Sequence, residues 1–373
     1  MRVLQVNKFY EPHVGGVETV VKQLAEGLPE QGMETRVLTC QHKVQLFTTE
    51  EFIEGVKVRR AGSLGTLFNV NFSPTFPLLY RDEIEWADVV HFHSPSPTPE
   101  FVHLIMGVPA DTGVVVTFHA DPGTSRWKGL NTIYAPVLRH LLERADRIAV
   151  TAPANRDRSE LLDGFKQKTD IIPLATEFEV DPPSGEERRR HQRKIVGTET
   201  ETVILFVGRL SYYKGLHYLL RALTEVDARL VVVGDGELRG DLEEKAEELG
   251  ITKKTQFEGY VEDEDLSNYY RAADVFVLPS IASIEAFGIV QLDAMAHGVP
   301  VVNTSLPTGV PFVSQHEQTG LTVNPKDASA LASALQQLVE KPDYRLKLGR
   351  EAGRRAEKFT EEKMINRYKK LYK

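Results

Sequence analysis

The sequence predicts an α/β chain of two doubly wound halves, each a parallel sheet with helices on both faces. Three observations carry this expectation. Short runs rich in β-branched residues recur without polar alternation, as strands buried on both faces require. They alternate with stretches whose apolar residues follow helical spacing. The opening scheme of strand, glycine-bearing loop and helix is then repeated in the second half of the chain.

Taken in order, Val3 to Val6 reads as a strand and is followed by a loop with Gly15 and Gly16. Val17, Val20, Val21, Leu24 and Leu28 then share one helical face. Further strands are VVHFH (Val89 to His93), GVVVTFH (Gly113 to His119) and RIAV (Arg147 to Val150). The segment Ala175 to Glu201 is polar, charge-dense and broken by Pro and Gly, which marks a boundary. VILFVG (Val203 to Gly208) restarts the scheme, RLSYYKG is its loop, and Leu216, Leu219, Leu220 and Leu223 restore the helical period. RLVVVG (Arg229 to Gly234), VFVL (Val275 to Leu278) and VPVVN (Val299 to Asn303) continue the second sheet. The expected organisation is one domain over 1–175, a linker over 176–200, a second domain over 201–350 and a terminal helical segment over 351–373. Open α/β sheets bind ligands beyond the carboxyl ends of their strands, so both glycine-bearing loops are expected to face a cleft between the domains.

Composition narrows the functional classes. A length of 373 residues accommodates two ordinary domains, and 41% hydrophobic with 26% charged content is that of a globular chain. A net charge of -8 argues against a nucleic-acid binder working through a general positive field. Cys40 is the single cysteine, which rules out an internal disulfide framework and a multi-cysteine metal site. No apolar run reaches the roughly 18 residues of a membrane span, and MRVLQVN reads as a strand rather than a targeting signal. A cytoplasmic location is the expectation.

Several stretches bear residues suited to chemistry. In HVGGVE (His13 to Glu18) two glycines before a helix permit close backbone approach to a phosphate, or form an ordinary strand-to-helix turn. In GRLSYYKG, Arg209 and Lys214 can neutralise a diphosphate through charge-assisted bonds, or be solvated surface charge; the spacing is not that of a Walker A loop. GDGELRG (Gly234 to Gly240) is a broken dinucleotide fingerprint whose glycines still allow contact with a nucleotide. Asp263 to Asp265 fits the first turn of a helix better than a metal site. His119 ends a strand and is a candidate for the cleft, against a hydrogen-bonded histidine near the surface; His91 and His93 read as strand-end residues. Cys40, in RVLTC, reads as core. The stretch EAFGIVQLD (Glu285 to Asp293) sets two acids around an apolar run. With Glu285 in the loop before a helix, both acids can address one groove while Phe287, Gly288 and Ile289 offer N–H groups to an anion. The alternative is a capping glutamate and a paired aspartate.

GGVE, GRLSYYKG, LVVVGDG, AADVFVLPS and EAFGIVQLDAMAHGVPVV, in this order and with FEGYV (Phe257 to Val261) between two of them, resemble family-4 retaining glycosyltransferases of the GT-B fold over the whole chain. The resemblance implies transfer of a sugar from a nucleotide-diphosphate donor to an acceptor hydroxyl with retained configuration, and neither cofactor nor metal ion. It places Gly15 and Gly16 at the donor phosphate, with Arg209 and Lys214 on the diphosphate and Gly234 beside the nucleotide. Glu285 falls on the sugar hydroxyls, with Phe287, Gly288 and Ile289 as backbone contacts, Asp293 on the ribose, His119 beside the reacting sugar, and Tyr260 and Val261 near the base. Glu285, His119, Arg209 and Lys214 are the expected catalytic set. RRAEKFTEEKMINRYKKLYK is similar to the family's terminal helix that returns to the first domain.

This chain departs from the family at Asp293, where Glu is usual, and at IIPLATEF, where a glycine-containing turn is usual. LPTGVPFVS (Leu306 to Ser314) is similar to members that add mannose or rhamnose in polysaccharide assembly, which favours a GDP-linked donor. The acceptor expected is a glycan or a lipid-linked molecule. SLGTLFNVNFSPTFPLLY (Ser63 to Tyr80) and RWKGLNTIYAPVLRHLL (Arg126 to Leu142) are expected to be core, with Leu130, Ile133, Tyr134, Val137, Leu138 and Leu141 on one helical face. The alternative is peripheral contact with the inner face of the cell membrane. A sugar-nucleotide epimerase and a non-catalytic nucleotide-sugar-binding protein are the rival functions, and the sequence leaves the oligomeric state open.

Overall fold

The computed structural model describes residues 1–13, 15–67, 70–122, 128–198 and 200–373, with side chains from 133 onward in the segment that begins at 128. Val14, Phe68, Asn69, Arg126, Trp127, Glu199 and the Leu130 side chain, all in stretches singled out above, lie outside the described residues. The chain forms two compact units, Met1–Leu174 with Glu361–Lys373, and Ala175–Thr360.

The first unit runs β1 (Arg2–Val6), α1 (Gly16–Glu30), β2 (Glu34–Cys40), β3 (Thr49–Ile53), β4 (Val56–Ala61), the short antiparallel pair β5 (Thr66–Leu67) and β6 (Val70–Asn71), and α2 (Phe76–Trp86). It continues through β7 (Val89–Ser94), α3 (Pro97–Met106), β8 (Gly113–Phe118), α4 (Lys128–Arg144), β9 (Arg147–Val150), α5 (Pro153–Asp157) and β10 (Thr169–Ile171). The main sheet has the order β10-β9-β8-β7-β1-β2-β4-β3, parallel except for β3 against β4. The second unit comprises α6 (Gly185–Val196), β11 (Val203–Val207), α7 (Leu216–Leu223), β12 (Arg229–Val233), α8 (Arg239–Glu248), β13 (Thr255–Gly259), α9 (Asp263–Ala272) and β14 (Val275–Leu278). It closes with α10 (Val290–Ala296), β15 (Val301–Thr304), α11 (Val310–Val313), β16 (Gly320–Val323), α12 (Ala328–Glu340) and α13 (Pro342–Ala356). Its sheet, β13-β12-β11-β14-β15-β16, is parallel throughout. The last helix, α14 (Glu361–Leu371), belongs to the first unit.

The elements follow from their residues. All five positions of β11 are buried, which is why VILFV carries no polar alternation. Helix α1 buries Val20, Val21, Leu24 and Leu28, each contributing about 1.5–3 kcal/mol. Its Gly27 admits α14: a Cβ there would lie 2.1 Å from the Ile365 Cδ1. In α4, Tyr134, Val137, Leu138 and Leu141 are buried as expected, but Ile133 is 65% exposed. The Ser63 to Tyr80 stretch is divided in the same way, with Phe76, Leu79 and Tyr80 in the core and Leu64, Leu67, Phe72 and Leu78 exposed.

The charge-dense segment read as a linker contains α6, started by a capping box in which the Ser184 side chain accepts from the Glu187 N–H and the Glu187 carboxylate accepts from the Ser184 N–H. Gln192 anchors it by donating to the Ala272 carbonyl (3.0 Å) and the Asp274 carboxylate (2.7 Å). Asp263, Glu264 and Asp265 occupy the first turn of α9, where the helix dipole favours acids.

Both sheets change winding direction once. The chain leaves β1 for β2 and β4, then returns to place β7 on the other side of β1; likewise it leaves β11 for β12 and β13, then places β14 on the other side of β11. Such switch points leave a crevice at the strands' carboxyl ends.

Candidate functional site

In the second unit the loops after β11 and β14 flank the switch point. After Val207 the chain passes Gly208 and Arg209, makes a tight turn over Tyr212–Lys214, and enters α7 through Gly215. Gly215 has φ +72, and a Cβ there would lie 2.1 Å from the Pro279 carbonyl oxygen, so only glycine lets the two loops meet. Their meeting brings the Lys214 Nζ to 2.6 Å from the Glu285 Oε2, with both residues 8% exposed. The Ser280 hydroxyl donates to the same carboxylate oxygen at 2.9 Å. Burial alone would push the Lys214 ammonium down, but the Glu285 carboxylate beside it outweighs burial and holds the lysine above its ordinary value. Arg209 is exposed, and among the described residues its guanidinium has no ion-pair or hydrogen-bond partner.

Glu285 lies in the loop before α10, and that loop is braced by residues the sequence reading passed over. Thr308 donates to the Glu285 carbonyl at 2.8 Å, and the Gly309 N–H donates to the Ala286 carbonyl at 2.7 Å. Gln291, fully buried, donates to the Phe287 carbonyl at 3.1 Å and accepts from Asn303 at 2.8 Å. Gly288 takes φ +73. The N–H groups of Phe287, Gly288 and Ile289 donate to no acceptor among the described residues. Asn303 and Thr308 had no local sequence signal, because the groups they brace lie on another segment, whereas Ser280 and Gln291 act on Glu285 and Phe287 of their own segment.

Asp293 faces different neighbours from Glu285. It is 4% exposed, and its Oδ1 accepts from the Thr176 hydroxyl at 2.8 Å. Burial pushes its carboxyl up to about 8, against the lowering effect of the Thr176 hydrogen bond. Gly234 has φ +124, and a Cβ there would lie 2.1 Å from the Gly208 carbonyl oxygen, so close contact between strand-end loops accounts for this glycine. Tyr260, 55% exposed, and Val261 follow β13, whose strand is separated from β11 by β12. Tyr260 donates to the Glu262 carboxylate at 3.3 Å.

In the first unit Gly15 caps α1 with φ -175, extended backbone that any residue adopts, and Gly16 is the first helical residue. His119 follows β8 and is only 5% exposed, not near the surface. Its Nε2 lies 3.1 Å from the His93 Nδ1, and the two rings stack. His93 is the penultimate residue of β7 and His91 lies two positions before it, and both are fully buried members of a hydrogen-bonded chain. Cys40 is buried, and burial raises its thiol to about 12, as befits core. Thus Lys214, Glu285, Arg209 and Phe287 to Ile289 fall on two adjoining loops of one unit, Asp293 has its own partners there, and Gly15, Gly16 and His119 belong to the other unit.

Residues 14–179 match the sequence profile described as Glycosyltransferase Family 4, and residues 187–355 that of Glycosyl transferases group 1. D-rhamnosyltransferase WbpZ of Pseudomonas aeruginosa is 33% identical over 353 residues, covering 94% of this chain and 90% of that protein. The chain belongs to the group 1 glycosyltransferases. O-antigen chain mannosyltransferase C of Escherichia coli is 30% identical to this glycosyltransferase over 374 residues, covering 100% of it and 98% of the relative. Among solved structures, sucrose-phosphate synthase from Thermosynechococcus elongatus has a TM-score of 0.81 at 24% identity, covering 100% of this chain and 98% of the other. HepE of Anabaena in complex with UDP has a TM-score of 0.79 at 18% identity, covering 99% of each chain. The glycosyltransferase has the GT-B fold, with two Rossmann-like units. No helix among its described residues is long and apolar enough to cross a membrane.

Proposed function

We propose that this glycosyltransferase moves a hexose of the mannose or rhamnose type from a nucleotide-diphosphate sugar to an acceptor hydroxyl, with retention and without a metal ion, in polysaccharide assembly. The observation that carries the reading is the buried Lys214–Glu285 pair at the switch point of the second sheet. Cleaving the bond from the sugar C1 to phosphate leaves its electron pair on the diphosphate, and stabilising that charge is the main electrostatic demand of the reaction. Lys214, kept charged by Glu285, Arg209 on the same loop and the N–H groups of Phe287, Gly288 and Ile289 suit that demand. Glu285 then hydrogen-bonds the sugar hydroxyls. The acceptor oxygen bonds to C1 on the face the phosphate leaves, and its proton passes to the departing phosphate oxygen, so no protein nucleophile takes part. Asp293 is assigned to the ribose, Tyr260, Val261 and Gly234 to the nucleoside side, Gly15 and Gly16 to the phosphate and His119 to the reacting sugar.

The names of the rhamnosyl- and mannosyltransferase relatives support the sugar type and the polysaccharide setting. The UDP held by HepE supports a nucleotide donor, and the Leu306 to Ser314 stretch favours GDP as its carrier. The exposed apolar side chains Phe47, Leu67, Phe72 and Leu78 favour a lipid-linked acceptor over a soluble glycan, and a peripheral position at the membrane.

The reading is tested by incubating the protein with a panel of nucleotide sugars and a cell lipid extract, with EDTA present, and reading products by mass spectrometry. Sugar transfer is expected. An altered free nucleotide sugar would mark an epimerase, an intact one a binding protein, and loss of turnover in EDTA would overturn metal independence. Arg209→Ala is the clean variant, because an exposed, unpartnered side chain changes stability by no more than about 0.5 kcal/mol. Its kcat/KM should fall by about a hundredfold or more; unchanged turnover would remove Arg209 from the diphosphate.

A further inference from the structure

Four polar side chains lie fully buried on one face of the first sheet, where an apolar core would normally sit: Gln5 on β1, His91 and His93 on β7, and Thr117 on β8. Register places Gln5 beside His91 and His93 beside Thr117, around the switch point. The segment Glu361–Lys373 covers them with two further polar groups, the hydroxyls of Tyr368 and Tyr372. Each contact is of hydrogen-bond length. His119 Nε2 meets His93 Nδ1 at 3.1 Å, and His93 Nε2 meets the Gln5 Oε1 at 2.9 Å. The Gln5 Nε2 donates to the Tyr372 hydroxyl at 3.3 Å, which meets His91 Nδ1 at 2.8 Å. His91 Nε2 meets the Thr117 hydroxyl at 2.7 Å, and that hydroxyl meets Tyr368 at 2.8 Å.

A neutral imidazole has one donor and one acceptor, so the direction of one link sets the next. The Gln5 Oε1 only accepts, hence His93 carries its proton on Nε2 and offers a bare Nδ1. His119 must therefore carry its proton on Nε2. Its Nδ1, which has no partner among the described residues, is left as a lone-pair acceptor. Turning the Gln5 amide over would reverse every link and put the proton on the Nδ1 of His119. What opposes that reversal is the second branch: the Tyr372 hydroxyl would have to donate to the amide instead of to His91, which would turn over the links through His91, Thr117 and Tyr368 as well.

We infer that Gln5, His93 and Tyr372 are positioning residues that fix the tautomer of His119, so that it meets a donor sugar hydroxyl as an acceptor through Nδ1. The inference rests on the reading of His119 as the group beside the donor sugar. It makes the terminal segment part of the site's chemistry without touching the substrate.

The test is imidazole NMR on the full-length protein with nitrogen-15-labelled histidine. His119 should show a protonated Nε2 and a bare Nδ1. Tyr372→Phe frees the Gln5 amide to turn and should give mixed or reversed protonation at His119. Gln5→Leu should do the same, whereas Gln5→Glu, which presents only acceptors to His93, should keep the native tautomer. Far-ultraviolet circular dichroism confirms that each variant is folded, and the two Gln5 variants decide the matter if Tyr372→Phe is not. With GDP-mannose hydrolysis as the probe of donor turnover, Tyr372→Phe should lower kcat on the order of tenfold, as expected for one misdirected hydrogen bond, with KM little changed. Native protonation of His119 in both Tyr372→Phe and Gln5→Leu would overturn the chain. A His119→Ala enzyme with full turnover would overturn the assignment of His119 to the sugar, which the tautomer measurement alone does not address.

Discussion

Asp293 shows how burial changes the chemistry of a single side chain. Thr176 donates to it, yet removal from water dominates and its carboxyl titrates at about 8. A carboxyl with a raised folded value favours the folded state most fully below its unfolded value, near 4, and that contribution is lost as pH rises through about 8. The melting temperature of the native protein should therefore fall between pH 6 and pH 9 relative to that of Asp293→Asn, which has no proton to lose. Parallel pH dependences for the two proteins would show that Asp293 is not held protonated. The one-methylene shortening from the family's usual Glu thus coincides with an acid that accepts from the Thr176 hydroxyl.

Among elements, the connections after β11 and β14 are where packing and chemistry meet. Lys214 and Glu285 approach each other only because Gly215 lets the first loop press on Pro279. Removing either charge strands the other in a nearly dry setting, so Lys214→Met and Glu285→Gln should each destabilise by about 3–5 kcal/mol. The double variant should cost much less than the sum of the two, as urea unfolding will measure. Additive losses would mean the pair is not coupled.

The strands around these loops were legible because burial on both faces selects β-branched runs, as in Val203–Val207 and Val275–Leu278. Helix α6 was not, since its dense charge and the prolines before it resemble a linker, although the Ser184 to Glu187 capping box was there to be read. EAFGIVQLD disclosed its two acids but not their partners, because Lys214, Thr308 and Thr176 reach them only through the fold. The hydrogen bonds of His91 and His93 were hidden for the same reason: their partners Gln5, Thr117 and Tyr372 are set by strand register and by the residues that follow α14.

At the scale of the molecule, the first unit is discontinuous in sequence, since Glu361–Lys373 joins Met1–Leu174 after the whole second unit has intervened. Deleting 361–373 would leave the buried amide of Gln5 and the ring of His91 without the Tyr372 hydroxyl and would uncover the face of α1 at Gly27. The first unit should then become the more rapidly digested half in limited proteolysis while Ala175–Thr360 stays resistant; equal resistance of both would show that the segment is dispensable. The same discontinuity bears on how the protein is made. A ribosome releases the eight strands of the first sheet early, yet the tyrosines that satisfy its polar face emerge only after the whole second unit. Maturation of the first unit is therefore tied to completion of the second, and a nascent chain stalled before Tyr368 holds an open sheet that chaperones and proteases can still recognise.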